Sequence, residues 1–263
     1  MAAMTVPQPP APLPPNEPIN PFAQTPPPPP RRPSRLPVIV LTVLLAITLV
    51  ALGVVTAQLA GLAPTSPLLV GGPTAKAISQ PVAVTADAVT IGSATAPATV
   101  DLYVDYMCPF CGTFDRMNGP AIAAGVEDGT VLLRLHPMSF LDNASGGTQY
   151  STRAANAVVT VAKLAPGNVL AFHMELFVMQ PMENTPGLTD DNLAEIAASV
   201  GVPADVVAKL SAGENKAWVA TATEADFAAG ITGTPTVMVN GTKLGGSLYQ
   251  PGALTEALAN AKR

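Results

Sequence analysis

The chain of 263 residues is 48% hydrophobic and only 12% charged, a balance that indicates a membrane segment in addition to a folded domain. Its formal net charge is −5, and after Ala77 nine basic residues stand against seventeen acidic ones, which excludes a nucleic-acid partner for that part. The two cysteines lie three positions apart, which excludes a secreted scaffold stapled by many disulfides.

Residues 1–35 form a proline-rich segment that includes an unbroken run from Pro26 to Pro30. A segment of this composition cannot bury a core, so the sequence predicts a disordered or polyproline II tail. A solvated spacer is the simpler interpretation of the tail, and a ligand for a proline-binding domain is the alternative.

The uncharged run after Arg35 predicts a transmembrane helix over residues 36–58. A bilayer core about 30 Å thick needs roughly 20 apolar residues in a helix, and this run supplies them. A cleaved signal peptide is the competing interpretation, but its apolar region spans only about 7–15 residues. Because Arg31, Arg32 and Arg35 precede the run, the positive-inside rule predicts a single-pass membrane protein with a cytoplasmic tail and everything after the helix extracytoplasmic.

Residues 59–83 are rich in Ala, Gly, Pro, Ser and Thr and predict an extracytoplasmic linker, and residues 84–263 predict one folded domain. Apolar and polar residues alternate over Ala98–Asp105, which predicts a strand. A second strand is predicted over Thr130–His136. The domain has enough residues to bury a core.

Between these two strands a helix is expected to begin at Pro109 and to weaken at Asn118-Gly119-Pro120. A helical insertion is predicted over about residues 148–230, in at least four helices. These helices are expected at Arg153–Leu164, Leu170–Met179, Thr189–Val200 and Asn215–Ala229. A β-hairpin turning at Asn240-Gly241 and a last helix from Pro251 to Ala261 are expected to complete the domain.

Cys108 and Cys111 form a C-x-x-C pair between the first strand and the helix that Pro109 begins. Thiol–disulfide exchange needs an accessible thiolate of lowered pKa and a second thiol close to it. The unpaired N–H groups and the dipole of the helix favour a thiolate at Cys108. Cys111, one turn further on, is expected to be more buried. Cys108 is therefore the predicted nucleophile and Cys111 the predicted resolving thiol.

Three other interpretations of the cysteine pair are an inert structural disulfide, half of a metal site, and two incidental core thiols. The pair closes too short a loop for a structural disulfide to add much stability. Zinc needs about four ligands, and neither His136 nor His173 has zinc-ligand spacing to the cysteines. His173 is predicted to be an ordinary helix residue. Neither a metal nor a cofactor other than the cysteine pair itself is expected.

A second motif, Gly233-Thr-Pro-Thr, precedes the predicted hairpin. Over about residues 84–263 the chain resembles the DsbA-like family of the thioredoxin superfamily. The resemblance rests on the order of its parts, which is a strand, Cys-Pro-Phe-Cys, a helix, a helical insertion, Gly-Thr-Pro-Thr, a hairpin and a final helix. The resemblance implies an α/β thioredoxin fold and an active-site loop containing Pro109 and Phe110. It also implies that Pro235 is cis and lies against the cysteines, and that the backbone of Thr234 pairs with a substrate strand.

The chain departs from that family at two positions. The best-known oxidases of the family carry His where this chain has Phe110, which weakens the case for a strongly oxidising potential. Members often hold a buried acid six positions before the first cysteine, where this chain has Leu102. Asp101 and Asp105 are predicted on the other face of the strand. Asp105 is a candidate proton-handling carboxylate, and an ordinary strand-end aspartate is the simpler interpretation.

The favoured function is that of an extracytoplasmic thiol oxidase, which donates the Cys108–Cys111 disulfide to exported proteins through a mixed disulfide on Cys108. The resemblance implies regeneration by a quinone-linked membrane oxidase. A reductase or isomerase fed by a membrane electron carrier, and a non-catalytic membrane-tethered binding module, are the alternatives. An apolar surround formed by Tyr106, Met107 and Phe110 is expected to bind unfolded segments of substrate proteins.

Overall fold

The computed structural model describes residues 77–245, 248–250 and 252–261 of the chain. The predicted tail and transmembrane helix lie outside the described residues, as do residues 59–76 of the predicted linker. Among the helices that are described, none is long and apolar enough to cross a membrane.

Within the described residues, six strands form one mixed sheet in the order β1-β2-β4-β3-β5-β6. The strands are β1 (Val82–Val84), β2 (Val89–Ile91), β3 (Ala98–Val104), β4 (Val131–Pro137), β5 (Thr236–Val239) and β6 (Thr242–Lys243). β3 and β4 pair in parallel, and all other neighbours pair antiparallel. A parallel pair needs a crossover connection, which the helix after Cys108 provides. The cysteine pair therefore follows a central strand of the sheet.

In the described part of the chain, seven α-helices accompany the sheet. They are α1 (Pro109–Glu127), α2 (Tyr150–Leu164), α3 (Val169–Val178), α4 (Asp190–Ser199), α5 (Ala204–Val207), α6 (Lys216–Ala228) and α7 (Ala253–Ala261). The helices α2 to α6 lie between β4 and β5 and form the predicted helical insertion. Thr189 caps the N-terminus of α4, since its hydroxyl accepts a hydrogen bond from the N–H of Asn192 at 3.2 Å.

The expected weakening of the first helix at Asn118-Gly119-Pro120 was wrong, because α1 continues through Pro120 to Glu127. A proline inside a helix removes one hydrogen bond and costs about 3 kcal/mol. The buried side chains of Phe114, Ile122 and Val126 lie on both sides of the proline and join the main core. Packing of this apolar face outweighs the local cost, since tertiary contacts supply most helix stability in proteins.

The first two strands form a hairpin that the sequence analysis did not predict. β1 begins at Val82 and pairs with β2, and the connection is closed by Thr85, whose Oγ1 accepts a hydrogen bond from the N–H of Ala88 at 3.0 Å. Each strand has only three residues, so neither one shows the sustained alternation by which a strand is recognised. β2 then pairs with β4 and extends the sheet on that side.

The two faces of the sheet differ in chemistry. On one face, side chains such as Leu102 of β3 belong to the main apolar core. On the other face, His136 of β4 is buried between two carboxylates. Its Nε2 lies 3.5 Å from Oδ1 of Asp101, and its Nδ1 lies 3.3 Å from Oδ1 of Asp226 in α6. The His136 ring stacks on the Tyr103 ring, with 4.0 Å between the ring centres. Burial alone would lower the pKa of His136, but the two carboxylates outweigh it and raise that pKa. Through Asp101 and Asp226, this buried histidine links β4 to β3 and to α6.

Candidate active site

Cys108 lies between the end of β3 and the start of α1 and is the N-cap residue of that helix. Its backbone is extended, with φ −73° and ψ 115°, and its carbonyl accepts hydrogen bonds from the N–H groups of Cys111 at 3.0 Å and Gly112 at 3.3 Å. Pro109 is the first helical residue, a position where a missing N–H has little cost. The positive end of the helix dipole therefore lies beside the Cys108 thiol.

The two free thiols lie in different electrostatic environments. The pKa of Cys108 is lowered to about 6, chiefly because the Cys111 thiol donates a hydrogen bond to it. Burial of Cys108 acts in the opposite direction, but hydrogen bonds from Thr234 and from the N–H groups of Cys111 and Phe110 lower the pKa further. Burial raises the pKa of Cys111 well above its ordinary value, and the neighbouring Cys108 raises it further. At neutral pH the site therefore holds a thiolate on Cys108 and a thiol on Cys111.

The segment before β5 brings a distant part of the chain against the nucleophile. The peptide bond between Thr234 and Pro235 is cis, in agreement with the prediction. The Sγ of Cys108 lies 3.4 Å from the carbonyl oxygen of Thr234, to which it donates a hydrogen bond when it is protonated. The hydroxyl of Thr236 donates to the carbonyl of Gly233 at 2.7 Å and closes the turn around the proline. The fold thus joins two motifs that are 126 positions apart in the sequence.

The surface beside Cys108 is apolar, but its composition differs from the predicted one. Phe110 is 59% exposed, and the centre of its ring lies 5.7 Å from that of the exposed Tyr249. The expectation that Tyr106 and Met107 surround the site was wrong, because both side chains are fully buried. The loop turns them into the core, where the Tyr106 hydroxyl is hydrogen-bonded to His173. Of the predicted surround, only Phe110 faces solvent.

Gln180 holds the active-site loop and was not identified from the sequence. Its side-chain amide donates to the carbonyl of Cys108 at 2.8 Å and to that of Tyr106 at 3.2 Å. A second link joins the same parts of the fold, since Arg116 of α1 donates to the Phe177 carbonyl in α3 at 3.2 Å. No local pattern marks such a residue, since its partners lie more than seventy positions away in the chain.

A chain of buried polar groups underlies the cysteine pair. The hydroxyl of Tyr106 lies 2.9 Å from Nδ1 of His173, and Nε2 of His173 lies 3.2 Å from the Asp115 carboxylate. All three side chains are buried. His173 is therefore more than the ordinary helix residue that its sequence context predicted, because it connects α3 to both the active-site loop and α1.

The six predicted site residues occupy one region of the molecule. Cys108, Pro109, Phe110 and Cys111 form the turn that begins α1, and the loop containing Thr234 and Pro235 lies against this turn. Over the part of the chain that the structure describes, no group of three or more His, Cys, Asp or Glu side chains could hold a metal ion. The arrangement, a lowered-pKa thiol beside a buried one, suits thiol–disulfide exchange.

The sequence matches the protein-family model described as Thioredoxin over residues 85–258, about two thirds of the chain. Curated relatives include the serine/threonine-protein kinase PknE of Mycobacterium tuberculosis and its counterpart in Mycobacterium bovis. Each is 36% identical over 161 residues, which cover 57% of this chain and 28% of the kinase. The chain thus spans little more than a quarter of the length of the curated relatives it matches.

Several solved structures with a similar fold come from bacteria. Reduced DsbA from Mycobacterium tuberculosis is 29% identical, with a TM-score of 0.54 and coverage of 66% of this chain and 99% of that one. MdbA from Actinomyces oris, a thiol-disulfide oxidoreductase, is 26% identical, with a TM-score of 0.58 and coverage of 74% and 96%. BdbD from Bacillus subtilis is 24% identical, with a TM-score of 0.57 and coverage of 71% of this chain and 98% of that one. This similarity concerns the fold alone.

Proposed function

This chain belongs to the thioredoxin family, and we propose that it is a DsbA-like protein disulfide oxidoreductase that works outside the cytoplasm. In this proposal it donates the Cys108–Cys111 disulfide to exported proteins. The observation that carries the proposal is the pair of unlike thiols, with the pKa of Cys108 lowered to about 6 and that of Cys111 raised. Such a difference defines which sulfur reacts with the substrate and which one resolves the intermediate.

The reaction begins from the oxidised pair. A substrate thiolate attacks Sγ of Cys108, a substrate–Cys108 disulfide forms, and the bond between Cys108 and Cys111 breaks. The Cys111 sulfur leaves as a thiolate and takes up a proton, in keeping with its raised pKa. A second substrate thiolate then attacks the substrate sulfur and releases Cys108 as a thiolate. The substrate gains one disulfide, and the enzyme gains the two electrons.

The lowered pKa of Cys108 favours this direction of the reaction. A thiolate of low pKa is a good leaving group, so the second step is fast. The same effect stabilises the reduced enzyme, whose Cys108 thiolate accepts a hydrogen bond from Cys111. Stabilisation of the reduced form makes the disulfide a stronger oxidant. These properties support disulfide donation over disulfide reduction.

Substrate proteins are proposed to bind as extended segments beside Cys108. Thr234 precedes β5 and contacts the nucleophile, so its backbone is placed to pair with a substrate strand. Phe110 and Tyr249 offer an exposed aromatic surface next to the sulfur. Because newly exported chains expose apolar side chains before they fold, they fit this surface better than folded proteins do.

A second apolar surface adjoins the active-site loop on the side of the helical insertion. Gln180 is bonded to the Cys108 carbonyl, and the neighbouring side chains of Val178, Met179 and Met182 are 62%, 51% and 77% exposed. Methionine side chains are flexible and polarisable, so a surface rich in them adapts to varied partners. This composition supports a broad range of protein substrates rather than a single one.

The location outside the membrane rests on the sequence. We propose that residues 36–58 span the membrane once, that the proline-rich tail is cytoplasmic and that residues 59–83 connect the anchor to the domain. A quinone-linked membrane oxidase is the proposed acceptor of electrons from the reduced pair. Kinase activity is not proposed for this chain, because its match to the related kinases covers only 28% of their length and the matched family model is that of thioredoxin.

Trapping of the mixed disulfide tests this function. In cells, the Cys108 thiolate of Cys111→Ala can still attack a disulfide of an exported protein, which forms a Cys108–substrate disulfide and releases the other substrate sulfur as a thiolate. With no Cys111 to resolve it, this disulfide-linked complex should accumulate, and a reductant should release it. Cys108→Ser is the control and should trap none. In detergent solution, the oxidised full-length protein should form disulfides in a reduced, unfolded test protein, and both cysteine variants should lose this activity.

Other outcomes would identify other functions. Faster reduction than oxidation of the test protein would support a reductase. A double Cys→Ser variant that keeps the cellular role of the protein would support a binding module. A membrane-impermeant thiol reagent applied to intact cells tests the topology, since it should label Cys108 only if the domain lies outside the cytoplasm.

A further inference from the structure

Gln180 reaches the active-site loop from the helical insertion, just beyond the end of α3. Its side-chain nitrogen donates to the carbonyl of Cys108 at 2.8 Å and to that of Tyr106 at 3.2 Å. One amide group therefore bridges two carbonyls that stand on either side of Met107 in the chain.

The peptide unit that joins Cys108 to Pro109 can be held only through its carbonyl oxygen, because proline has no N–H group. That oxygen accepts hydrogen bonds from the N–H groups of Cys111 at 3.0 Å and Gly112 at 3.3 Å, both within α1. Gln180 supplies the shortest of the three bonds and does so from outside that helix. The direction of this peptide unit, and with it that of the Cys108 side chain, therefore depends on Gln180.

The N–H groups of the same loop are held by Asp105. Its carboxylate accepts a hydrogen bond from the N–H of Met107 at 2.7 Å, and its carbonyl accepts one from the N–H of Cys108 at 3.0 Å. The carboxylate is buried and also accepts a hydrogen bond from the hydroxyl of Ser151 at 2.7 Å. Asp105 and Gln180 thus hold the N–H groups and the carbonyls of the loop from different parts of the fold, which leaves the nucleophile little freedom to turn.

Gly112 makes room for the Gln180 amide. A Cβ at Gly112 would overlap Oε1 of Gln180 and lie 2.9 Å from its Cδ, so a larger residue would displace the amide. Glycine is less favourable than alanine inside a helix. The close approach of Gln180 gives a physical reason for glycine at this position of α1.

We propose that Gln180 is a positioning residue of the redox reaction, which aligns the Cys108 sulfur for exchange. This inference rests on the proposed function and deepens it. In each exchange a thiolate forms a bond to one sulfur of a disulfide, the bond between the two disulfide sulfurs breaks, and its electron pair leaves with the second sulfur as a thiolate. Displacement of this kind needs the three sulfur atoms nearly in line, so a small turn of the Cys108 side chain slows it strongly.

The link between α1 and α3 does not depend on Gln180 alone. Arg116 of α1 donates to the carbonyl of Phe177 in α3 at 3.2 Å. The buried side chains of Phe114 in α1 and Leu176 in α3 both belong to the main core. Loss of the Gln180 bonds should therefore leave the two helices packed together and change the position of the loop.

Gln180→Met in the full-length protein in detergent tests the proposal, because methionine fills the space of the amide and has no donor. The rate at which the reduced protein reacts with oxidised glutathione is divided by the thiolate fraction of Cys108, followed by its ultraviolet absorbance. This rate should fall about tenfold. With a reduced, unfolded test protein, kcat of the oxidised variant should fall by a similar factor and KM should not change, since Gln180 acts through Cys108 and not on the substrate.

Arg116→Met is the matched control, since it removes the other bond between α1 and α3 and leaves the Cys108 carbonyl untouched. Both variants should lose stability in urea, but the exchange rates of Arg116→Met should stay close to those of the wild type. The comparison separates alignment of the sulfur from general loosening of the two helices.

Gly112→Ala keeps the test independent of the folding of Gln180→Met. The added methyl group displaces the flexible amide, while alanine favours the helix. Exchange should slow as it does in Gln180→Met, and the double variant should be no slower than the slower single one, because both changes act through the same amide.

Four results would overturn the role of Gln180. These are wild-type rates in Gln180→Met, equal slowing in Arg116→Met, additive slowing in the double variant, and a raised KM for the test protein with an unchanged glutathione rate. The last result would make Gln180 a substrate-binding residue instead. A wild-type protein that forms no reversible disulfide would overturn the proposed function itself.

Discussion

The hydrogen bond from Cys111 to Cys108 should control the reactivity of the nucleophile, and Cys111→Ala removes its donor. This thiol is the largest of the influences that hold the pKa of Cys108 at about 6. A hydrogen bond to a charged group contributes about 1.5–3 kcal/mol, or about 1–2 pKa units at 1.36 kcal/mol per unit. The pKa of Cys108 should therefore rise to about 7–8 in the variant.

The assay is a pH titration of the reduced protein, by thiolate absorbance and by the rate of alkylation with iodoacetamide. At pH 7 the thiolate fraction of Cys108 should fall from about 90% in the wild type to about 10–50% in Cys111→Ala. Cys111→Ser is the matched control, because its hydroxyl can still donate, and its titration should stay within about half a unit of the wild type.

Two results would refute this reasoning. A wild-type titration in Cys111→Ala would show that the helix end and Thr234 lower the pKa of Cys108 without the second thiol. Equal shifts in the alanine and serine variants would show that packing of the sulfur at Cys111, and not its hydrogen bond, is responsible.

Three further predictions concern the surroundings of the site. Gln180→Ala removes two hydrogen bonds to the active-site loop and should cost about 1–3 kcal/mol in urea unfolding. Gly187→Ala should lower the free energy of unfolding by about 3 kcal/mol, because φ is +72° and a Cβ would lie 2.4 Å from Cγ of Tyr150. Its control is Gly146→Ala, where φ is +61° but the surrounding space is open, and the loss should be about 1 kcal/mol. His136→Gln should cost more stability at about pH 5 than at about pH 9. A histidine whose pKa is raised by folding stabilises the folded state at pH values below its ordinary pKa of 6.5, and this contribution is lost as the pH rises through the raised pKa. Equal losses at the two pH values would contradict a raised pKa of that histidine.

The sequence predicted the parts of the site that depend on local signals. A strand followed by Cys108, with Pro109 at the first helical position, defines the nucleophile at a helix N-terminus, and the structure has this arrangement. The hairpin at Asn240-Gly241 was also predicted and is present. Such features need only a few neighbouring residues. The proximity of Thr234 to Cys108, by contrast, followed only from the family resemblance.

The parts that the sequence did not predict depend on contacts between distant residues. Gln180 and Tyr249 reach the active-site loop from far along the chain, and no spacing rule links them to it. Tyr106 and Met107 were misplaced because side-chain direction in an irregular loop has no periodicity to follow. The helix was expected to weaken near Pro120 because the low helix propensity of proline is a local property of the sequence. The packing of α1 against the core depends on distant residues and could not be predicted in this way.

The reduction potential of the Cys108–Cys111 pair in the full-length protein, measured by equilibration with glutathione, tests the central claim most directly. The account predicts a reversible disulfide with a potential less negative than about −200 mV, toward the value of about −120 mV that characterises strong oxidants. A value near about −270 mV would make the protein a reductant and contradict disulfide donation. Failure to form any reversible disulfide would contradict the redox function altogether.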